Sequence, residues 1–162
     1  MATPKRRPET PSGSRGDLPD VNVWLALAAP GHPHHEAATA YWQQPDLPRL
    51  WFNRLTMLAL VRLLCQSKVM GAAAMTLAQG LDVYGRFANL PEVAFMAEPE
   101  HCGEALLQWV DDGAGTVLPP RLWTDAYLAA FATTGDLRVV TFDRDFNRFA
   151  GLNCLRLPLP AH

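Results

Sequence analysis

The spacing of apolar residues changes period several times along the chain, and each change marks an element. Residues 18–23 form a short β-prone stretch, and residues 22–29 take on helical composition until Pro30-Gly31 stops it. Residues 34–44 place Ala37, Ala38, Tyr41 and Trp42 on one helical face and end at Pro45. A strand is predicted over 50–53. From 55 to about 67 a helix is predicted whose apolar residues cover most of its circumference, which implies burial on all sides. Residues 73–90 predict a helix, 93–96 a short strand, and 100–111 a helix with Ala105, Leu106, Trp109 and Val110 at helical spacing. After a loop over 113–120 come an Ala-rich helix over 122–133, the clearest strand of the chain at 137–142, and a closing strand at 155–157.

Strands alternating with helices imply a parallel sheet covered on both faces, so the expected fold is a three-layer α/β/α sandwich around a central parallel sheet. A length of 162 residues, 49% of them hydrophobic, suits one such domain with a sizeable core. Residues 1–16 stand apart. They hold Pro4, Pro8, Pro11, Ser12, Gly13, Ser14 and Gly16 with almost no large apolar side chain, and are expected to form a disordered basic arm ahead of a domain over 17–162.

Charge sharpens that division. Residues 1–17 carry four basic and two acidic side chains, which leaves ten against fourteen, a net of −4, for the remainder. A protein that wraps nucleic acid over a broad basic face would have the opposite sign, so any contact with RNA or DNA has to be local. Cys65, Cys102 and Cys154 are odd in number and widely spaced, which suits a reducing compartment; a cytoplasmic location without a membrane span is expected.

In open parallel sheets, ligands sit off the carboxyl ends of the strands. Asp20 falls at the exit of the first strand and Asp143 directly after the strand at 137–142, while Asp125 opens the Ala-rich helix with Thr124 as its natural N-cap. Carboxylates that converge repel one another unless a cation joins them. Hard divalent ions such as Mg²⁺ and Mn²⁺ take oxygen ligands and activate water at phosphoryl groups. Arg144 and Arg148 flank Asp143, and Arg54 opens the apolar helix; all three are candidates for RNA backbone contacts. His32, His34 and His35 read as helix-entry residues rather than a zinc set, because no cysteine lies near them.

Four ordered runs carry a resemblance: Leu18-Pro-Asp-Val-Asn-Val-Trp, Arg54-Leu-Thr-Met-Leu-Ala-Leu-Val-Arg62, Trp123-Thr-Asp-Ala-Tyr-Leu-Ala-Ala130 and Val140-Thr-Phe-Asp-Arg-Asp-Phe146. Together the chain resembles a PIN-domain ribonuclease toxin of the VapC type, from Leu18 to Leu157. The resemblance implies a metal-dependent endoribonuclease, the toxin of a type II toxin–antitoxin pair, with an RNA substrate, a small cognate antitoxin and a homodimeric state. It implies Asp20 and Asp125 as ligands of Mg²⁺ or Mn²⁺, with Asp143 as the third catalytic carboxylate, Asn22 beside the first aspartate, and Asp145 as an assisting neighbour. The sequence departs from the pattern at Thr56-Met57, where the resemblance implies a glutamate at position 57. A thioether cannot bind a hard cation. The alternative is therefore a catalytically weakened module that binds RNA or an antitoxin. Surplus tryptophans, among them Trp51 and Trp123, would serve the core or the antitoxin groove.

Overall fold

The computed structural model describes residues 14–111 and 113–159. Five strands form one sheet: β1 (Asp17–Pro19), β2 (Leu50–Phe52), β3 (Val93–Phe95), β4 (Arg138–Thr141) and β5 (Cys154–Arg156). Their order is β3-β2-β1-β4-β5 with every pairing parallel. Seven α-helices cover it: α1 (Val21–Ala28), α2 (His35–Trp42), α3 (Arg54–Leu64), α4 (Ser67–Met70), α5 (Leu77–Ala88), α6 (Cys102–Val110) and α7 (Trp123–Gly135).

Alternation along the short strands builds the three layers. Leu50, Phe52 and Val140 pack with Trp24, Tyr41, Leu60 and Leu64 of α1, α2 and α3 on one face. Leu18, Val139 and the flanking Trp51 pack on the other, with Ala129, Phe131 and Cys102 of α6 and α7. Both faces of the sheet are therefore apolar, as a parallel sheet between helices requires.

Most of the arm expected over 1–16 lies outside the described residues. Its last two residues belong to the folded body: Arg15 N donates to Asp136 O at 2.7 Å, and Gly16 O accepts from Arg138 N at 3.0 Å. Gly16 has φ +145°, and a Cβ there would run into the Arg49 carbonyl, so only glycine brings the chain into β1 along this path.

Side-chain caps moved several boundaries. The Asn53 side chain accepts from Thr56 N and the Thr56 hydroxyl from Asn53 N, a capping box that starts α3 at Arg54. Thr76 and Gln79 form a second box, so α5 begins at Leu77 and not at 73. Helix α3 is also less buried than its composition implied. Thr56, Leu60, Val61 and Leu64 face the core, whereas Leu58 is 56% exposed.

The central strand is bonded unequally on its two sides. Asp20 N donates to Val140 O at 2.8 Å, so residues 18 and 20 point at β4 while Asp17 and Pro19 point at β2. Asp17 N donates to Arg49 O at 2.8 Å, but Pro19 has no N–H to give. Pairing of β1 runs over three residues with β4 and over the single pair Asp17↔Leu50 with β2. The sheet thus parts between β1 and β2 at their carboxyl ends.

At its amino end β1 carries a buried ion pair. The Asp17 carboxylate accepts from Arg138 Nε and Nη2, each at 2.8 Å, and from the Tyr41 hydroxyl at 2.6 Å. Burial and the neighbouring Asp17 charge raise the Tyr41 phenol well above its ordinary pKa, so it stays a donor.

Candidate active site

The parted carboxyl ends of β1 and β2 open into a cavity of about 140 Å³ lined by Asp20, Thr56, Ala59, Arg62, Thr124 and Asp125, among others. That volume holds a few waters, enough for a partly hydrated cation. Asp20 caps α1: Oδ1 accepts from Val21 N at 2.6 Å, and Oδ2 accepts from Asn22 Nδ2 at 2.8 Å and Thr141 Oγ1 at 2.9 Å. Thr141, fully buried at the end of β4, also accepts from Asp143 N at 3.0 Å through the same Oγ1. One hydroxyl therefore fixes both the first aspartate and the turn carrying another. Asn22 Nδ2 lies 3.1 Å from that hydroxyl and completes the triangle.

Asp125 sits in the first turn of α7, where the helix N-terminus favours a negative charge. Thr124 is not the N-cap. A 3₁₀ turn over Pro120–Leu122 leads directly into the helix, which starts at Trp123, so Thr124 lies inside the first turn with its side chain exposed on the cavity wall. Asp143 caps the 3₁₀ turn Arg144–Arg148, its Oδ1 accepting from Asp145 N at 2.8 Å. Ligand oxygens of Asp125, Asp143 and Asp145 all lie within 4.8 Å of one another.

The electrostatics of this edge follow from crowding. Asp20 is pushed up to about 6, chiefly by burial, with the Asp143 charge adding and the bonds from Thr141 and Val21 opposing. Asp125 is also pushed up to about 6, by burial first and then by the charges of Asp20, Asp143 and Asp145. Asp145 moves the other way, lowered by its hydrogen bonds from Arg148 and Arg121. Crowded hard oxygen donors are the donor set a divalent cation fits, and Asp20, Asp125 and Asp143 would hold it.

One expectation on α3 changes. Thr56, Ala59 and Arg62 form the stripe facing the carboxylates, as a spacing of three residues on a helix places them. Met57 lies about 100° further round and does not line the cavity; its sulfur lies 3.1 Å from Arg54 Nη1, and its side chain packs on the α1–α3 core. The position that decides whether α3 contributes a carboxylate is thus Ala59, and the thioether at 57 has no bearing on it.

Among the arginines, Arg54 has its guanidinium 4.8 Å over the Phe95 ring at the rim. Arg148 is bonded to Asp145, and exposed Arg144 makes no ion pair among the described residues. Arg121, absent from the sequence-based candidates, pairs with Asp145 at 3.1 Å. Its signal was faint: a basic residue four positions ahead of Asp125. Beside the cavity, Leu55, Leu58, Trp123 and Tyr127 line a shallow apolar groove. The histidines do structural work, with His35 Nδ1 2.7 Å from Ala26 O and the His34 ring stacked on Phe142.

A five-stranded parallel sandwich with clustered aspartates along its carboxyl edge defines an α/β protein with an acidic cleft of the kind that serves hard cations. The profile of the PIN domain matches residues 18–152, and the chain belongs to that family. Its relatives include ribonuclease VapC41 of Mycobacterium tuberculosis, 38% identical over 86% of this chain and 97% of that protein, and ribonuclease VapC44, 31% identical over 78% and 85%. Among solved structures, the sarcin-ricin loop cleaving toxin VapC20 of M. tuberculosis aligns with TM-score 0.60 at 18% identity, covering 85% of this chain and 96% of that one. FitAcB from Neisseria gonorrhoeae aligns with TM-score 0.61 at 18% identity, covering 86% and 96%. Both share the fold described above. No single helix among the described residues is long and apolar enough to cross a membrane.

Proposed function

We propose that this chain is a metal-dependent endoribonuclease, the toxin component of a type II toxin–antitoxin pair. The observation that carries the reading is the convergence of Asp125, Asp143 and Asp145 within 4.8 Å, beside the buried Asp20, at the parted edge of the sheet. The ribonuclease names of relatives at 38% and 31% identity support RNA as the substrate class. Asp20 and Asp125 are assigned as ligands of Mg²⁺ or Mn²⁺, with Asp143 supporting. Such an ion, when bound, supplies an activated water and stabilises charge on a phosphoryl oxygen. Asn22 and Thr141 hold Asp20 in place, Asp143 and the amino end of α7 fix the second half of the site, and Arg54 and Arg144 at the rim are assigned to the RNA backbone.

The partner assigned to the apolar groove of Leu55, Leu58, Trp123 and Tyr127 is an antitoxin segment with matching apolar side chains. A homodimer is supported by Val69, Leu77 and Leu81, which are 45%, 64% and 43% exposed. The second reading, a weakened module that binds RNA or antitoxin without cutting, is favoured by one feature: Ala59 gives α3 no carboxylate toward the cavity.

Cleavage of single-stranded RNA by the purified chain decides between them. Cutting with Mg²⁺ or Mn²⁺, none with EDTA, and a loss of about a hundredfold or more in Asp20→Asn and Asp125→Asn, about 3 kcal/mol of barrier, is the expected result. Metal-dependent cutting that survives both substitutions would overturn the site, and the absence of cutting under every condition would favour the weakened module.

A further inference from the structure

Asp145 differs from the other aspartates at this edge in that both its oxygens already have cationic partners. Arg121 Nη1 donates to Oδ2 at 3.1 Å, and Arg148 Nη2 donates to Oδ1 at 3.1 Å while its Nε donates to the Asp145 carbonyl at 3.1 Å. These arginines arrive from different elements, the 3₁₀ turn before α7 and the one after β4. A single carboxylate ties them together within 4.8 Å of Asp125 and Asp143.

Each guanidinium has five N–H groups in a fixed fork. Arg121 spends one on Asp145 and Arg148 spends two, so both keep donors to spare, and their side chains are 67% and 38% exposed. Two guanidinium groups held side by side next to an acidic cleft suit a phosphodiester oxygen, which forked donors recognise better than point charges do. They also place local positive charge where the folded part of the chain is otherwise acidic.

We propose that Asp145 is a positioning residue rather than a metal ligand: it clamps Arg121 and Arg148 into a paired phosphate grip that holds the RNA backbone beside the cleft. The inference rests on the nuclease reading and deepens it. It assigns the four carboxylates two jobs, with Asp20, Asp125 and Asp143 serving the cation and Asp145 serving the arginines.

Two measurements on the full chain test it. Binding of a labelled single-stranded RNA oligonucleotide in EDTA is followed against salt concentration, and Mn²⁺ binding is followed separately by the paramagnetic resonance signal of the free ion. The Arg121→Ala/Arg148→Ala double variant is expected to weaken RNA binding about tenfold and to flatten the log–log salt slope by about 1.4, the contribution of two phosphates on a single strand. Asp145→Asn should weaken RNA binding in the same direction with Mn²⁺ affinity within about twofold of the parent, while Asp125→Asn lowers Mn²⁺ affinity by about tenfold or more. Arg121→Lys/Arg148→Lys, which keeps the charges but not the forks, should retain the salt slope and lose part of the affinity.

A fall in Mn²⁺ affinity for Asp145→Asn as large as that for Asp125→Asn would make Asp145 a metal ligand and overturn the proposal. So would an unchanged salt slope in the double alanine variant. If the parent chain cuts no RNA, the nuclease reading fails and the grip with it. If the parent cuts while the double variant keeps its slope, the grip alone fails.

Discussion

Strand β1 begins at one buried aspartate and is followed directly by another, and the protein treats them in opposite ways. Asp17, 1% exposed, has a forked arginine and a phenol on its oxygens. Asp20, 7% exposed, has an amide, an asparagine and a threonine, and no cationic side chain among its hydrogen-bond partners. Both are satisfied as hydrogen-bond acceptors, yet only the first is neutralised. Burial of an acid therefore does not mark function by itself; burial without a countercharge does, because the fold carries that cost unless something else brings the charge.

The largest test of this contrast is Arg138→Met. It leaves the Asp17 charge uncompensated in the core and is expected to cost about 3–5 kcal/mol, roughly 10 °C in Tm, in thermal unfolding at pH 7. A variant as stable as the parent would erase the distinction between the two aspartates. Next is the divalent cation. Mn²⁺ at about a hundred times its Kd should raise stability by about 2.7 kcal/mol in the parent and in Tyr41→Phe, but not in Asp125→Asn.

Asp20→Asn should be more stable than the parent in EDTA at pH 7, by about 2 kcal/mol, although it loses activity. The sign follows from proton linkage. The folded pKa, about 6, lies above the ordinary 3.8, so ionised Asp20 opposes folding; the penalty is fully present above about pH 6 and gone below about pH 4. Urea denaturation at pH 7 and pH 5 should therefore show the advantage of Asn shrinking as the pH falls. An advantage that grows on acidification would contradict the assignment. Tyr41→Phe is the mildest change, expected to cost about 1–2 kcal/mol because Asp17 keeps its arginine, with RNA cleavage per folded molecule unaltered.

The alternation of short apolar runs with helical ones was enough to anticipate the layered sheet, since both strand faces had to be covered. The placement of Asp20, Asp125 and Asp143 on the carboxyl edge was legible for the same reason: each sits where an element ends or begins. What escaped the sequence depended on distance or on rotation. The Asp17–Arg138 pair joins residues 121 apart, and Arg121–Asp145 joins residues 24 apart, so no local pattern announces either. The resemblance implied the missing carboxylate at Met57, and helix α3, apolar around most of its circumference, gives no phase in the sequence to show that Ala59 is the residue lining the cavity. Thr124 looked like a cap because nothing in Pro120-Arg-Leu122 discloses the 3₁₀ turn that starts the helix two residues sooner than that cap would.

Gly16 has a practical consequence. It delivers the chain to the amino end of β1, and because all five strands run parallel, that is the edge of the sheet opposite Asp20 and Asp143. A tether joined at Ser14 therefore starts from the far side of the domain. Anchored to a surface by that end, the protein would present its acidic cleft outward, ready for immobilised assays of RNA capture in which neither the bead nor the linker competes for the site.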